Sequence, residues 1–135
     1  MTSAAANAGL VRAGFEAFNA GDAAACLALT TPDLVMNLAE VPEPQHGQDV
    51  WRQGFELIKR AFPDLRAHVE DIVAAGDKVA VRVRFRGTHT GEFVGLAATG
   101  RTVEYTSHEF YRIEGGLIAE EWICSDMATL LGQLS

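Results

Sequence analysis

Carboxylate side chains within apolar strand patterns are the residues of this sequence best suited to proton transfer. In the stretch 102–113, residue types alternate as in a β-strand whose side chains point to two faces in turn. We expect the more apolar face, which includes Glu109, to point inward. A carboxyl group in apolar surroundings has a raised pKa, which suits acid–base chemistry near neutral pH. The residues of this expected inner face are Val103, Tyr105, Ser107, Glu109, Tyr111 and Ile113.

The same pattern leaves alternatives open for these carboxylates. Glu109 could instead lie at the rim of the sheet and pair with an arginine. In the predicted strand 117–125, Glu120 and Glu121 are adjacent, so one carboxylate faces each way. Periodicity does not decide which of the two faces inward, and Glu121 is our second candidate for an inward carboxylate.

Asn37 is a further candidate because it lies among apolar residues of the predicted strand 34–38. From the inner surface its amide could hydrogen-bond a carbonyl or enolate oxygen. It could equally satisfy local backbone groups, as asparagine often does. The two tryptophans, Trp51 and Trp122, are expected to pack in the core rather than to form a platform for a ligand.

Motifs for nucleotide, metal and serine chemistry are missing from the sequence. There is no GxGxxG, GxxxxGKS or GxxxxGKT loop to bind phosphates. The histidines at 46, 68, 89 and 108 show neither HExxH nor i, i+4 spacing, and no GxSxG is present. We therefore expect no nucleotide cofactor and no metal.

Length and composition fit one globular domain spanning residues 1–135, with 48% hydrophobic and 21% charged side chains. A net charge of -7 disfavours binding to nucleic acid. No apolar run approaches the roughly 20 residues that span a bilayer, and the N-terminus lacks a signal-peptide pattern. We expect a cytoplasmic protein without membrane contact. Cys26 and Cys124 form no CxxC pair, so we expect two free thiols in the core.

Helical periodicity comes first along the chain, and strand periodicity follows. The sequence predicts a helix over 4–19, a short second helix capped by Asp22, and a third helix between Gly47 and Pro63. From Leu65 onward the period is two, with turns at 76–77 and 114–116 and a glycine-rich connection over 87–100. This order indicates an α+β fold, in which helices pack on one face of a curved antiparallel sheet.

Four segments resemble the SnoaL-like polyketide cyclases, and together they cover nearly the whole chain. They are EAFNAGD at 16–22, AFPDL at 61–65, RGTHTGEF at 86–93 and FYRIEGGLIAEEW at 110–122. The resemblance implies a cone-shaped α+β barrel of the nuclear transport factor 2 superfamily. N-terminal helices would pack on a curved, mainly antiparallel sheet and enclose one apolar cavity. Members are generally cofactor-free and often oligomeric.

The resemblance also indicates where the chemistry of this chain departs from that of the family. The cyclases close a polyketide ring by intramolecular aldol condensation, using an aspartate on the last strand and a histidine on the preceding one. Ile123 stands at the aspartate position and Glu109 at the histidine position. An asparagine of the cyclases falls within one position of Asn37, and a helix-one tyrosine matches Phe18. Glu109 could still act as the base.

These observations favour a cofactor-independent enzyme of the cyclase or isomerase type, acting on a small hydrophobic carbonyl compound. The alternatives are a limonene-epoxide-hydrolase-like enzyme, which needs an arginine between two acids, and a non-catalytic binder of small hydrophobic ligands. The candidate catalytic residues are Glu109, Glu121 and Asn37. The candidate substrate contacts are Phe18, Trp51, Phe55, Ser107, Tyr111 and Ile123.

The sequence further predicts a homodimer. Arginines at 82, 84 and 86 lie on the expected outer face of one strand. Glu104, Thr106, His108 and Arg112 lie on that of its neighbour. A sheet surface with both signs of charge could pair with a copy of itself.

Overall fold

A computed structural model describes residues 2–135, which form four helices and six strands. None of the helices in this range is long and apolar enough to cross a lipid bilayer. The helices are α1 (Ala4–Asn19), α2 (Ala23–Leu27), α3 (Gln48–Ala61) and α4 (Met127–Leu134). The strands are β1 (Thr30–Leu38), β2 (Gln45–His46), β3 (Arg66–Ala75), β4 (Lys78–Thr88), β5 (Thr102–Glu114) and β6 (Leu117–Ser125).

The strands form one sheet in the order β2-β1-β6-β5-β4-β3. All neighbouring strands are antiparallel except β1 and β6, which run parallel. The expected α+β fold with a mainly antiparallel sheet is confirmed. The sheet is open rather than closed into a complete barrel, because β2 and β3 are edge strands.

Local hydrogen bonds explain why α1 begins and ends as predicted. The Ser3 hydroxyl accepts the Ala6 N–H at the start of the helix. At its end, the Asn19 side chain bonds both backbone groups of Ala67, donating to the carbonyl at 2.9 Å and accepting the N–H at 2.7 Å. Asn19 thus pairs with β3 as a strand would, and this fastens the end of α1 to the sheet.

The alternation predicted for β4 is present in the structure. Val79, Val81 and Val83 are buried, while the arginines at 82 and 84 are exposed. Arg82 bonds Asp71 at 2.7 Å and Arg84 bonds Glu70 at 2.7 Å, so the outer surface is a ladder of cross-strand ion pairs. The inner face packs against α1 and the other helices and forms the core.

Three elements differ from the sequence expectation, and the first is the two-residue edge strand β2, which was not predicted. The strand predicted over 34–38 begins already at Thr30, because Thr30 pairs with Ile118 and the register with β6 then shifts before Val35. The helix α4 was not predicted. Asp126 accepts the Thr129 N–H at 3.1 Å at its start, and Leu130 and Leu134 are buried against the core.

Two core assignments are wrong for residues on the outer face of β6. Cys26 is buried as expected, but Cys124 is exposed. Trp122 is only half-buried and lies opposite Phe110, whose side chain is 53% exposed. Both errors have one cause, which is that these side chains alternate with inward residues and point away from the helices.

Candidate active site

A cavity of about 540 Å³ lies between the helices and the inner face of the sheet. Its walls are mainly apolar and aromatic, and the Phe18 ring meets those of Phe55 and Phe85 edge-on at 5.8 and 5.9 Å. Trp51 stacks on Phe55 at 5.2 Å and is half-buried. Five of the six predicted substrate contacts line this cavity, namely Phe18, Trp51, Phe55, Tyr111 and Ile123.

Glu109 lies on the inner face of β5, with 4% of its surface exposed. The Ser107 hydroxyl donates to its Oε2 at 2.7 Å, and the Tyr111 hydroxyl donates to its Oε1. Burial raises the pKa of Glu109, while these two hydrogen bonds favour the charged form and oppose that rise. The alternative of a rim residue paired with an arginine is wrong, because the partners of this carboxyl are two buried hydroxyls.

Glu121 reaches the same cavity because β6 is irregular just before it. Arg112 of β5 pairs with Glu120, but the next residue of β5 pairs with Ile118, so Ala119 is an extra residue in β6. This bulge lets Ile118 and Glu121 both line the cavity. Burial, and to a lesser degree the charge of Glu109, raise the pKa of Glu121 to about 8.

The two carboxyls are neighbours on one wall. Tyr111 lies opposite Glu121 and Glu109 opposite Ile123, so Glu109 and Glu121 are diagonal cross-strand neighbours. Within residues 2–135, no group donates a hydrogen bond to the Glu121 carboxyl, whereas Glu109 has two hydroxyl donors. Because two ionised carboxylates repel each other, the pair keeps one proton to a higher pH than a single carboxyl would. A proton that is held up to neutral pH suits proton transfer there.

The prediction that Asn37 lies on the inner surface is wrong. Its Nδ2 donates to Glu120 Oε2 and to the backbone oxygen of Glu121, both at 3.0 Å. Asn37 pairs in register with Trp122 on the outer face, while Met36 pairs with Glu121 and lines the cavity. The stated alternative, bonding of local backbone, does not describe Asn37 either, because both of its partners lie on the neighbouring strand β6.

Ser107 is buried but does not line the cavity, so the expected substrate contact is not seen. Its hydroxyl lies 2.7 Å from Glu109 and 3.1 Å from the Ser125 hydroxyl. Ser107 is therefore a positioning residue that holds the Glu109 carboxyl. Ser125 does line the cavity, on the same face of β6 as Glu121.

Several cavity residues were not predicted as part of the site. Tyr105 stacks on Phe85 at 5.2 Å, and burial raises the pKa of its hydroxyl. Cys26 also lines the cavity, and burial with the nearby charges of Asp22 and Glu121 raises the pKa of its thiol to about 11, so it stays protonated. Phe93 comes from the connection between β4 and β5, where no periodicity signals which side chains face inward.

The cavity opens to solvent beside α3, where Leu57 is 60% exposed. The nearest lysine, Lys59, does not line it, since its Nζ donates to the Leu65 carbonyl at 2.9 Å and lies 4.2 Å from the centroid of the Phe18 ring. Burial lowers the pKa of Lys59. Across residues 2–135, no three His, Cys, Asp or Glu side chains are grouped so that they could bind a metal ion.

The family model for SnoaL-like polyketide cyclases matches residues 8–134. The chain belongs to the SnoaL-like polyketide cyclase family. A search of curated proteins found no match for this SnoaL-like chain.

Solved structures agree with this assignment. IdmH from Streptomyces antibioticus, described as a candidate polyketide cyclase, is 38% identical with a TM-score of 0.84, covering 95% of this chain and 97% of that one. AclR from Streptomyces galilaeus, described as a candidate hydroxylase, is 31% identical with a TM-score of 0.89. The match covers 98% of this chain and 82% of that one. A candidate SnoaL-like polyketide cyclase from Jannaschia sp. CCS1 is 19% identical with a TM-score of 0.91, and the match covers 100% of this chain and 96% of that one. At this low identity the likeness shows the fold alone.

Proposed function

We propose that this SnoaL-like protein is a cofactor-independent enzyme of the cyclase or isomerase type, which catalyses proton transfer on a small hydrophobic carbonyl compound. The observation that carries the proposal is the pair of buried carboxyls, Glu109 and Glu121, on one wall of an apolar cavity. Catalytic carboxyls require surroundings that shift their pKa towards neutrality, and burial does so for both residues.

The different surroundings of the two carboxyls support different roles. Hydroxyl donors favour the charged form of Glu109, so the first negative charge of the pair goes there and the proton stays on Glu121. Glu109 then takes a proton from the carbon next to the substrate carbonyl. The bonding electrons move to the carbonyl oxygen, and Glu121 donates its proton to that oxygen to give an enol.

The enol can react further in two ways that need no cofactor. Its carbon can attack a second carbonyl and close a ring, or it can be protonated at a different carbon and shift a double bond. In the ring closure the enol O–H returns its proton to the Glu121 carboxylate as the first carbonyl re-forms, and Glu109 gives its proton to the second carbonyl oxygen, so both carboxyls regain their starting states. In the double-bond shift Glu109 gives its proton to the other carbon instead. The apolar walls limit water in the site and strengthen these charge interactions.

The alternatives receive less support from the cavity. A limonene-epoxide-hydrolase-like site needs an arginine between two acids, and within residues 2–135 the cavity lining includes no arginine. A non-catalytic binder would be favoured by a cavity without carboxyl groups, and this cavity has two buried ones.

A test that needs no knowledge of the natural substrate is hydrogen–deuterium exchange at the activated carbon of 2-tetralone, followed by NMR in D₂O. We expect the protein to accelerate exchange and Glu109→Gln to reduce that acceleration by roughly 10²–10⁴-fold, because glutamine keeps the shape but cannot accept the proton. Glu120→Gln is the matched control, since Glu120 bonds Asn37 and Arg112 on the outer face. Undiminished exchange in both Glu109→Gln and Glu121→Gln would contradict the mechanism.

A further inference from the structure

Among residues 2–135, the charged side chains that line the cavity are of one sign. Two buried carboxyls, Glu109 and Glu121, form part of its wall, and Glu40 lies at its exposed edge. The lining drawn from residues 2–135 contains no lysine, arginine or histidine. Lys59, whose Nζ lies 4.2 Å from the Phe18 ring centroid, does not line the cavity and bonds the Leu65 carbonyl. An anionic ligand would therefore enter without a counter-ion, whereas a cationic ligand would supply one.

Glu121 is a buried polar group that lacks a partner in the part of the chain that the structure describes. It is 6% exposed and lines the cavity, yet no donor lies within hydrogen-bond distance of its carboxyl. Its oxygens are not among the fully enclosed side-chain atoms without a partner, so a molecule in the cavity can reach them. A ligand N–H directed at Glu121 would supply the missing hydrogen bond.

The remaining walls also favour a cation. Aromatic rings attract a positive charge over their faces, and the attraction is stronger where water is excluded. The fold already contains one such contact, because Lys59 Nζ lies 4.2 Å from the Phe18 ring centroid. The aromatic residues that line the cavity are Phe15, Phe18, Trp51, Phe55, Phe85, Phe93, Tyr105 and Tyr111.

We propose that this cavity binds hydrophobic ammonium ions, that is, protonated amines attached to an apolar skeleton, with the N–H groups donated to Glu121 and Glu109. The skeleton occupies the aromatic part of the cavity. The site is then a ligand-binding site in its own right, whether or not the bound amine reacts, and an amine competes there with a carbonyl substrate.

Proton release is a consequence of this binding mode. Glu121 is mostly protonated at neutral pH, because burial raises its pKa to about 8, and a positive charge beside it favours its ionised form. The other titratable groups facing it are Glu109, Cys26 and Tyr111, and the last two stay neutral because burial raises their pKa values. Lys59 is the nearby positive charge, and the Leu65 carbonyl holds it in place. Affinity for the ammonium ion should therefore rise between about pH 6 and 8, by up to about 50-fold for a group of this pKa.

Three ligands that share a naphthalene ring test the proposal by isothermal titration calorimetry. They are 2-(aminomethyl)naphthalene, 2-naphthalenemethanol and 2-naphthoate, which are cationic, neutral and anionic at about pH 8. We expect the amine to bind about tenfold or more tightly than the alcohol, and the carboxylate to bind more weakly than either. Titration in two buffers of different ionisation enthalpy should show release of a proton with the amine and none with the alcohol.

Glutamine variants connect this preference to the carboxyls. In Glu109→Gln/Glu121→Gln, the amine and the alcohol should bind with equal affinity and no proton should be released, while Glu120→Gln keeps the wild-type order. Unchanged binding of the alcohol shows that the double variant is folded, and circular dichroism checks this independently. Equal affinities in the wild-type protein, or a preference for the amine that survives in the double variant, would overturn the proposal. Exchange of 2-tetralone measures the proposed catalysis separately, so either idea can fail alone.

Discussion

Glu109 and Glu121 are the same residue type in one cavity, but they differ in how the chain supports their charge. Two hydroxyls donate to Glu109, whereas within residues 2–135 the Glu121 carboxyl has no donor. Burial raises the pKa of both. In the proposed mechanism, the difference in hydrogen bonding, rather than the difference in burial, makes Glu109 the base and Glu121 the acid.

The raised pKa of Glu121 predicts how folding stability depends on pH. Its pKa is about 8 in the folded state against 4.5 ordinarily, so between these values the folded protein binds more protons than the unfolded chain. The stability that this difference in proton binding gives the folded state is fully present below about pH 4.5 and is lost as the pH rises to about 8. We expect Glu121→Gln to stabilise the protein at pH 8 relative to wild type by roughly 1–4 kcal/mol, with little effect near pH 5.

Urea unfolding of both proteins at several pH values between 5 and 8 measures this effect. Glu120→Gln should keep the wild-type pH dependence, because Glu120 faces the outer surface beside Arg112. Carboxylates with lowered pKa values, such as Asp64 and Asp126, act at pH values below this range and do not interfere. An unaltered slope in Glu121→Gln would show that its carboxyl is ionised in the folded protein at neutral pH.

At the scale of elements, the connection between β4 and β5 completes the cavity by close contact with α3. The N–H groups of Thr90 and Gly91 donate to the Ala61 carbonyl at 3.0 and 3.1 Å. A Cβ atom at Gly91 would lie 2.1 Å from the backbone oxygen of Arg60. Glycine is thus required for the approach that brings Phe93, two residues later, into the cavity wall.

Gly91→Ala should therefore move the connection away from α3. We expect a loss of roughly 1–3 kcal/mol in the free energy of unfolding, as for other overpacked sites, together with weaker binding of 2-naphthalenemethanol. Thermal unfolding and calorimetry measure the two effects. Gly9→Ala is the matched control, because a Cβ there meets no atom within 4 Å and alanine favours the helix. A Gly91→Ala protein as stable as wild type would refute the close contact.

For the whole molecule, the outer face of the sheet has an apolar row flanked by charges of both signs. Val73, Ala80, Phe110 and Trp122 lie side by side on four neighbouring strands. Val73 is 66% exposed and Phe110 is 53% exposed. We propose that this row pairs with the same row of a second copy of the chain. A two-fold axis through the centre of the row places the two rows on each other, and it brings acidic residues beside one row close to basic residues beside the other.

The homodimer is tested by sedimentation over a wide concentration range. Phe110→Glu should convert the dimer into a monomer, since the charge would be buried unpaired near the centre of the interface. Leu57→Glu is the control, because Leu57 is about as exposed as Phe110 but lies on α3 at the opening of the cavity. A wild-type protein of monomer mass at all concentrations would contradict the proposal.

Much of the architecture was predictable because it depends on local periodicity. The helix predicted over 4–19 coincides with Ala4–Asn19, and the strand predicted over 117–125 coincides with Leu117–Ser125. The strand pattern recognised over 102–113 extends one residue further, to Glu114. The inward orientation of Glu109 also followed from alternation, because β5 is regular along the segment that contains it. Each of these features is specified by neighbouring residues in the chain.

Tertiary structure decided the rest of the site. Sequence alternation names which residues share a face, but the face that meets the helices depends on pairing with other strands, and a shift of one residue exchanges the two faces. For this reason Asn37 could not be placed before the parallel pairing of β1 with β6 was known, nor Glu121 before the bulge at Ala119. Phe93 and Gly91 lie outside any repeating pattern, and only their contacts with α3 bring them to the cavity. The residue types that could transfer a proton were evident from the sequence, whereas their convergence on one cavity depends on strand register, a property of several segments packed together.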